Sequence, residues 1–240
     1  MKKAKLTGRN IIIQDLINLI PKELRLRFNP DRYAVEKFVV QASKKTKKDS
    51  KILDAGAGLS PYKCFFNHTK YEAADFNNNF GNLDFICSLD KIPKKEGYYD
   101  AVICTEVLEH VPNPQEVVNE FYRVLKVGGK LFLTVPQGRA IHQEPHNYFY
   151  FTKYGLNLIL KNTNFKNIKI QPKGGYFKFL GDAIRFNNIL NQYKKYWFIY
   201  YPLFIIERVI SMIIIFILFH LDFLDKEKKW TSGYLAESIK

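Results

Sequence analysis

The chain has 240 residues, of which 47% are hydrophobic and 25% are charged, and its formal net charge at pH 7 is +14. That apolar content supports one domain with a sizeable core and excludes an intrinsically disordered chain. Its three cysteines, Cys64, Cys87 and Cys104, are odd in number and follow no metal-binding spacing. A disulfide-stapled protein and a zinc-binding module are therefore also excluded.

The positive charge is concentrated in the two flanks of the chain. Residues 1–51 carry 14 basic and 5 acidic side chains, residues 52–151 carry 9 and 12, and residues 152–240 carry 14 and 6. Basic flanks suit an anionic membrane surface or a polyanion such as nucleic acid. A lysine-rich solvated surface would give the same counts, so both interpretations stay open.

Basic helices are predicted over residues 1–50. The first begins at Asn10, which caps it, and stops at Pro21. Polar residues break its apolar run and no cleavage site follows, so it is not a secretion signal. The second begins near Asn29 and packs one apolar face over the edge of the domain that follows.

Residues 51–59 hold the central motif of the sequence. An apolar strand ends near Asp54, and Gly56 and Gly58 follow, which allow the backbone to take positive φ and to pass close to a ligand. Asp75 stands 19 positions after Gly56, close to the spacing of about 20 expected for a carboxylate that binds ribose hydroxyls. The third glycine of the dinucleotide fingerprint is replaced by Pro61. The predicted ligand is therefore a nucleoside without a pyrophosphate.

From Lys51 onward, short apolar strands alternate with helices, which is typical of a parallel sheet covered on both faces. The helix after the fourth strand is expected to begin at Asn113 and to end at Gly128 and Gly129. The predicted strands are residues 51–55, 70–75, 84–87, 100–105, 130–135 and 166–171.

Four strings, in order along the chain, resemble class I S-adenosylmethionine-dependent methyltransferases of the small-molecule type. They are Leu-Asp-Ala-Gly-Ala-Gly at 53–58, Asp75, residues 100–111 with Glu-Val-Leu-Glu-His at 106–110, and residues 125–136. The resemblance implies an α/β fold: a Rossmann-like, doubly wound, seven-stranded and mostly parallel sheet whose last strand, at 232–239, is antiparallel to the sixth. Residues 51–171 would then be the cofactor-binding core, 172–229 an apolar helical insertion and 230–240 the last core strand.

The same resemblance implies S-adenosylmethionine as the cofactor and assigns its contacts. The glycine turn and Asp54 would hold the amino acid end, Asp75 the ribose, and Phe76 would lie beside the adenine. An acid common in the family is replaced by Ser88, so that side chain or a neighbour, Leu89 or Asp90, is the expected adenine contact. The predicted cofactor-binding residues are Asp54, Gly56, Ala57, Gly58, Asp75, Phe76, Ser88, Leu89 and Thr105.

The acceptor is expected to bind at the loop formed by residues 139–152, because α/β sheets bind substrates beyond the carboxyl ends of their strands. Related methyltransferases commonly carry Glu-Pro-x-x-Tyr there, which Glu144 to Tyr148 match. His142 or His146 is predicted as the base that removes a hydroxyl proton, since neutral imidazole suits this role near pH 7. Glu144 is the third candidate catalytic residue. Alternatively, these side chains only cover the sheet edge.

Glu106, Glu109 and His110 would share one face if residues 106–110 formed a helical turn. The string resembles the Glu-x-x-Glu-His of ubiquinone-pathway O-methyltransferases, where a divalent ion can be held. It is also common in relatives without a metal. We therefore predict no metal site and assign these side chains a structural or substrate-facing role.

The least ordinary segment of the insertion is the apolar stretch 197–224. Pro202 and the charged pair Glu207 and Arg208 interrupt it, and the uncharged run that follows has 13 residues, fewer than the roughly 20 that a span needs. Lysines flank both ends, so both are expected in the cytosol. The prediction is a helical hairpin, broken near Pro202, that lies in the membrane interface. A buried cap or a homodimer surface is the alternative.

Together these features predict a cytoplasmic methyltransferase that is peripheral to or monotopic in an anionic membrane. Its expected substrate is an oxygen of a lipid-linked or surface-glycan sugar, or else a quinone or other isoprenoid acceptor. Nucleic acid is disfavoured because no Asn/Asp-Pro-Pro-Tyr string follows the fourth strand. A non-catalytic, membrane-associated scaffold that binds S-adenosylmethionine is a further alternative; loss of Asp75 or of both glycines would indicate it, and all three residues are retained.

Overall fold

The structure is a computed structural model that describes residues 21–77, 83–185 and 195–240. Within them, the strands are β1 Lys51–Ala55, β2 Lys70–Asp75, β3 Phe85–Ile86, β4 Tyr99–Thr105, β5 Leu125–Pro136, β6 Lys166–Pro172 and β7 Gly233–Ile239. The α-helices are α1 Lys22–Arg27, α2 Pro30–Lys44, α3 Pro114–Val124, α4 Lys153–Asn162, α5 Tyr176–Arg185 and α6 Trp197–Leu221. The helix predicted to begin at Asn10 falls outside the described residues.

The strands form one seven-stranded sheet in the order β3-β2-β1-β4-β5-β7-β6. Neighbours from β3 to β5 are parallel, while β7 runs antiparallel to both β5 and β6. The predicted Rossmann-like fold is therefore confirmed, including the antiparallel last strand. The strand order reverses between β1 and β4, and in such sheets this switch point is where ligands bind.

Helices cover both faces of the sheet because its inner strands are apolar on both sides. Adjacent residues of β1, Ile52 and Leu53, are fully buried and belong to opposite faces. On one face Leu53 belongs to the same apolar cluster as Phe121 of α3, and on the other Ile52 shares a cluster with Val39 of α2. This packing on both faces holds the carboxyl ends of β1, β2 and β4 together at one edge of the sheet.

The predicted end of α3 at Gly128 is wrong, since the helix stops at Val124. Leu125 is fully buried and pairs with Tyr99 in the sheet, so burial draws the chain into β5 early. Gly128, with φ of +77°, lies within the irregular first part of β5.

The helical insertion between β6 and β7 is confirmed, but the predicted break near Pro202 is wrong. α6 is one continuous helix of 25 residues that contains Pro202, and it packs against α5. Pro202 is the sixth residue of α6, beyond the first turn where proline is tolerated, so packing of α6 against α5 compensates for the backbone hydrogen bond that the proline removes. Asp222, just after α6, accepts the backbone N–H groups of Gly175 at 3.0 Å and Lys178 at 3.1 Å. These hydrogen bonds tie the start of α5 to the end of α6.

Candidate functional site

The turn after β1 lies at the switch point of the sheet and is built by two glycines with positive φ, +76° at Gly56 and +53° at Gly58. The N–H groups of Gly56 and Ala57 both donate to the carbonyl of Ala74, at 2.9 and 3.0 Å, and tie the turn to β2. A Cβ on Gly56 would lie 2.4 Å from the side chain of Val107, whereas one on Gly58 would meet nothing within 4 Å. Packing requires the first glycine, and the second leaves the backbone open to a ligand.

Asp75, at the end of β2, is buried and bonded to this turn. Its Oδ2 accepts the N–H of Gly58 at 2.9 Å, and its Oδ1 accepts the N–H of Phe76 at 2.7 Å. The ring of Phe76 is 74% exposed. A buried carboxylate beside an open glycine and an exposed aromatic ring suits a nucleoside, since it offers acceptors for hydroxyls and a flat apolar surface for a base.

Asp54, at the end of β1, is also buried, and the hydroxyl of Tyr71 donates to its Oδ2. Burial raises the pKa of Asp54 to about 6; the hydrogen bond from Tyr71 opposes this rise and nearby Asp75 adds to it. A cationic ligand beside the carboxyl would restore its charged form. The position therefore fits the predicted contact with the amino end of the cofactor.

The remaining predicted cofactor residues lie around the same edge. Ser88 is exposed and its hydroxyl donates to Asp90, while Leu89 is buried. Thr105 ends β4 and pairs with Thr134 of β5. The adenine contact of Ser88 or Leu89 and the cofactor contact of Thr105 stay predictions.

A cluster of charged side chains lies beside the end of β4. No sequence motif predicted it. Lys173 Nζ lies 2.7 Å from Glu106 Oε1 and 3.0 Å from Asp31 Oδ1, and Arg139 Nη1 lies 3.6 and 3.7 Å from the same two acids. Burial alone would lower the pKa of Lys173, but the two acids raise it above its ordinary value. Lys173 in turn outweighs burial at Asp31 and keeps the pKa of that carboxyl low. The cluster therefore pairs two basic side chains with two acidic ones.

A cavity of about 430 Å³ opens next to this cluster, lined by Asp31 and Arg139, by Phe179 and Asp182 of α5, and by Ser232 before β7. Asp182 is 3% exposed, and its Oδ1 accepts the N–H of Asp31 at 3.3 Å. Its Oδ2 has no hydrogen-bond partner among the described residues. Burial, and then the charge of Asp31, raises the pKa of Asp182 to about 7. A carboxyl of this kind can gain or lose a proton near neutral pH.

Of the three predicted catalytic residues, one lies beside His110 and two lie at the surface. The ring of His142 lies 4.9 Å from that of His110, centroid to centroid, and burial lowers the pKa of His142. Glu144 and His146 are exposed. The backbone carbonyl of His146 accepts from His110 Nδ1 at 2.6 Å, so His146 holds the loop in place through its main chain.

Glu109, His110 and His142 together have the chemistry of a metal-binding set, although we predicted none. One ligand atom from each lies within 4.8 Å of the others. Glu109 is fully buried, and neither of its oxygens nor His110 Nε2 has a hydrogen-bond partner within the described ranges. A backbone carbonyl accepts from Nδ1 of His110 and another lies 3.2 Å from Nδ1 of His142, an arrangement that leaves Nε2 free to bind a cation.

The helical turn predicted over residues 106–110 is wrong. The observed backbone directs Glu106 away from the other three side chains. Glu106 has a φ of +55° and precedes a short 3₁₀ turn, Leu108–His110. Its Oε1 accepts the hydroxyl of Thr134 at 2.8 Å and faces Lys173. Burial, followed by the charge of Glu106, raises the pKa of Glu109 to about 8. A bound divalent cation would replace that proton and compensate the buried carboxylate.

The fold, the glycine turn and the buried acid at the end of β2 define a class I S-adenosylmethionine-dependent methyltransferase. The methyltransferase domain family matches residues 26–170, and the chain belongs to it. The chain thus contains a methyltransferase domain, and S-adenosylmethionine is the cofactor of that domain.

Curated relatives match over part of their length. The chain is 29% identical over 124 residues to the ubiquinone biosynthesis O-methyltransferase of Hydrogenovibrio crunogenus, and the aligned stretch covers 47% of this chain and 49% of that protein. It is 35% identical over 79 residues to the protein of the same name from Marinobacter nauticus, which covers 32% and 31%. The matches thus span half or less of these relatives.

Solved structures confirm the fold. Phosphoethanolamine N-methyltransferase 2 of Haemonchus contortus, solved with S-adenosyl-L-methionine, aligns with a TM-score of 0.57 at 14% identity, over 99% of this chain and 58% of that one. A SAM-dependent methyltransferase from Archaeoglobus fulgidus aligns with a TM-score of 0.55 at 16% identity, over 87% and 94%.

Proposed function

We propose that this enzyme transfers the methyl group of S-adenosylmethionine to a hydroxyl of a lipid-linked or surface-glycan sugar at the cytosolic face of a membrane. The observation that carries the proposal is the lining of the cavity. Asp31, Asp182 and Arg139 offer acceptors and donors for several hydroxyls, and Phe179 offers a flat apolar wall. A volume of about 430 Å³ is in the range of small-ligand sites.

The geometry suggests how the residues of this chain would act. S-adenosylmethionine supplies an electrophilic methyl group when bound, so the enzyme must align the acceptor oxygen and remove its proton. Lys173 is fully buried and fixes Asp31 and Glu106, which in turn hold Arg139 at the cavity wall. Asp182 Oδ2 would accept the hydroxyl proton, and His142 remains the second candidate base.

A quinone-type acceptor is the second candidate function. Two observations favour it: the names of the curated relatives, and the grouping of Glu109, His110 and His142. A divalent cation held by these side chains would lower the pKa of a phenolic hydroxyl bound to it, so that the proton could pass to water instead of to a carboxylate.

The test uses the purified full chain with methyl-labelled S-adenosylmethionine and two probes, a polyprenyl-diphosphate-linked disaccharide and a short-chain prenylated catechol. Label on a sugar oxygen, located by NMR, supports the first function, and label on the phenolic oxygen supports the second. Failure to label either probe, by protein that binds S-adenosylmethionine in a calorimeter, overturns both.

An Asp75→Ala variant is the control for the cofactor site. Asp75 is the predicted ribose contact and holds the N–H of Gly58, so its loss should abolish binding of S-adenosylmethionine and methyl transfer together. Glu96→Ala, at an exposed position remote from the turn, should change neither. Unchanged affinity in Asp75→Ala would refute the ribose assignment.

A further inference from the structure

The outer surface of α6 is an apolar stripe that the described part of the chain leaves uncovered. Its residues recur every three or four positions, which places them on one side of the helix. They are Leu203, Ile206, Ile210, Ile213 and Ile217, each between 49% and 56% exposed. Contiguous apolar surface of this kind marks an interaction site.

The charged pair of α6 lies on the other side of the helix, towards α5. Arg208 Nε is 3.1 Å from Glu207 Oε2, and Glu207 Oε1 accepts the hydroxyl of buried Ser211 at 2.9 Å. Arg208 Nη1 also reaches the carbonyl of Arg185, at 3.4 Å. Among the side chains described between residues 198 and 217, every exposed one is therefore uncharged.

Amphipathic rings and lysines lie at both ends of this stripe. Tyr196 and Tyr201 near the start of α6, and Trp230 beyond its end, are each more than half exposed. Lysines are exposed on both flanks: Lys195, Lys226, Lys228 and Lys229. Tyrosine and tryptophan favour the headgroup level of a bilayer, and lysine is attracted to anionic lipids. The net charge of +14 acts in the same direction.

We propose that α6 lies in the plane of an anionic membrane, with its outer stripe at the boundary between headgroups and acyl chains. Residues Tyr200–Leu224 are long and apolar enough to cross a bilayer, and only 11% of their most apolar 18-residue stretch is buried, unlike a core helix of a soluble protein. This inference stands on the surface of α6 and does not depend on the proposed acceptor.

Contacts along α6 favour the in-plane orientation over a crossing. The ring of Phe216 lies 5.7 Å from that of Phe28, and the ring of Phe219 lies 5.0 Å from that of Tyr33. The chain then returns directly to the sheet, where β7 begins at Gly233 and pairs with β5. A crossing helix would have to leave α1, α2 and α5, so α6 can bury its outer stripe only by lying flat.

The experiment is co-sedimentation of the full chain with phosphatidylcholine vesicles that contain or lack phosphatidylglycerol. We expect the chain to pellet with the anionic vesicles, and Ile206→Glu/Ile213→Glu to lower the partition coefficient on the order of ten-fold or more. The matched control is Tyr154→Glu/Leu158→Glu on α4, whose side chains are 80% and 59% exposed away from the stripe. The control should pellet like the parent.

Orientation is measured with one tryptophan in the middle of α6, Ile210→Trp, in a Trp197→Phe/Trp230→Phe background. Lipids brominated near the headgroup should quench it more strongly than lipids brominated at the chain ends. Stronger quenching from the chain ends would overturn the in-plane orientation. A parent chain that stays in the supernatant with anionic vesicles would overturn the proposal that α6 binds a membrane. If that chain is also dimeric by sedimentation, the stripe is covered by a second copy of this chain.

Discussion

Lys173 Nζ lies 2.7 Å from Glu106 Oε1, and so joins the residue after β6 to the residue after β4 with the lysine side chain fully buried. The same ammonium group reaches Asp31 at the start of α2. Three distant segments thus meet at one buried cation beside the cavity. Removing one partner of such an ion pair leaves an uncompensated buried charge.

Replacement of Lys173 by methionine should therefore destabilise the protein strongly. The expected loss in the free energy of unfolding is about 3–5 kcal/mol, because Asp31 and Glu106 are largely shielded from solvent and would keep only the more distant Arg139 as a cationic partner. Urea denaturation followed by circular dichroism measures this loss.

The double variant Lys173→Met/Glu106→Gln is the informative comparison. Removing one of the two acids with the lysine should recover part of the loss, as expected for residues that share a contact. If the losses of the two single variants simply add in the double variant, Lys173 and Glu106 are not coupled.

The two turn glycines should respond differently to substitution by alanine. Gly56→Ala would force a Cβ to within 2.4 Å of Val107, so the free energy of unfolding should fall along with binding of S-adenosylmethionine. Gly58→Ala meets no neighbour within 4 Å, and we expect the fold to lose only about 1–2 kcal/mol for the positive φ. Its affinity for S-adenosylmethionine should nevertheless fall at least ten-fold, because the new methyl group occupies the open side of the turn.

Calorimetric titration with S-adenosylmethionine and thermal unfolding of both variants separate these effects. Gly138→Ala is not a suitable control, since a Cβ there would lie 2.4 Å from Phe179. Gly97→Ala meets nothing closer than 3.9 Å at a similar φ of +64° and lies away from the turn. Normal affinity in Gly58→Ala would show that the cofactor does not pass this residue.

These glycines, with Asp75, were predictable from sequence because a turn at the end of a strand is a local structure. Gly56, Gly58 and Asp75 stand at fixed spacing within the unit formed by β1, its connection and β2, and the backbone geometry of that unit is set by residues close in the chain. The strands were predictable for the same reason, since apolar runs bounded by turn residues mark them wherever they pack.

The charged cluster and the cavity beside it were not predictable from sequence, although the loop 139–152, which was expected to bind the acceptor, contributes Arg139. Asp31, Arg139, Lys173 and Asp182 come from four separate segments of the chain, and only the finished fold brings them together. The break assigned to Pro202 failed for a related reason. Packing against α5 decides whether a helix continues through a proline, and a local rule does not contain that contact.

Calorimetric titration with Mn²⁺ or Zn²⁺ should show binding to the full chain, with Glu109 and His142 as ligands. Two imidazoles and a carboxylate suit these ions better than Ca²⁺ or Mg²⁺. Glu109→Gln and His142→Gln should each lower the affinity at least ten-fold. His146→Gln is the matched control, because it alters a histidine of the same loop whose side chain is exposed. Equal affinity in all four proteins would exclude this set of ligands.

Replacement of Asp182 by asparagine should change how stability depends on pH. The folded-state pKa of Asp182 is about 7, above the ordinary value of about 3.9, so the folded chain binds this proton more tightly than the unfolded chain. Its contribution to stability is therefore present below about pH 4 and is lost as pH rises through about 7. Asp182→Asn removes that loss, and its free energy of unfolding relative to the parent should rise between pH 5 and pH 8.

The same substitution tests whether Asp182 acts as the base. The rate of methyl transfer by the parent should fall below about pH 7, as the carboxyl becomes protonated, and Asp182→Asn should be about 10²–10⁴-fold slower. Glu227→Gln, at an exposed position of the insertion, should leave the rate and its pH profile unchanged. If Asp182→Asn keeps the parent's rate and pH profile while Ala or Gln at His142 lowers the rate, the proton is taken by His142, and Asp182 only shapes the cavity.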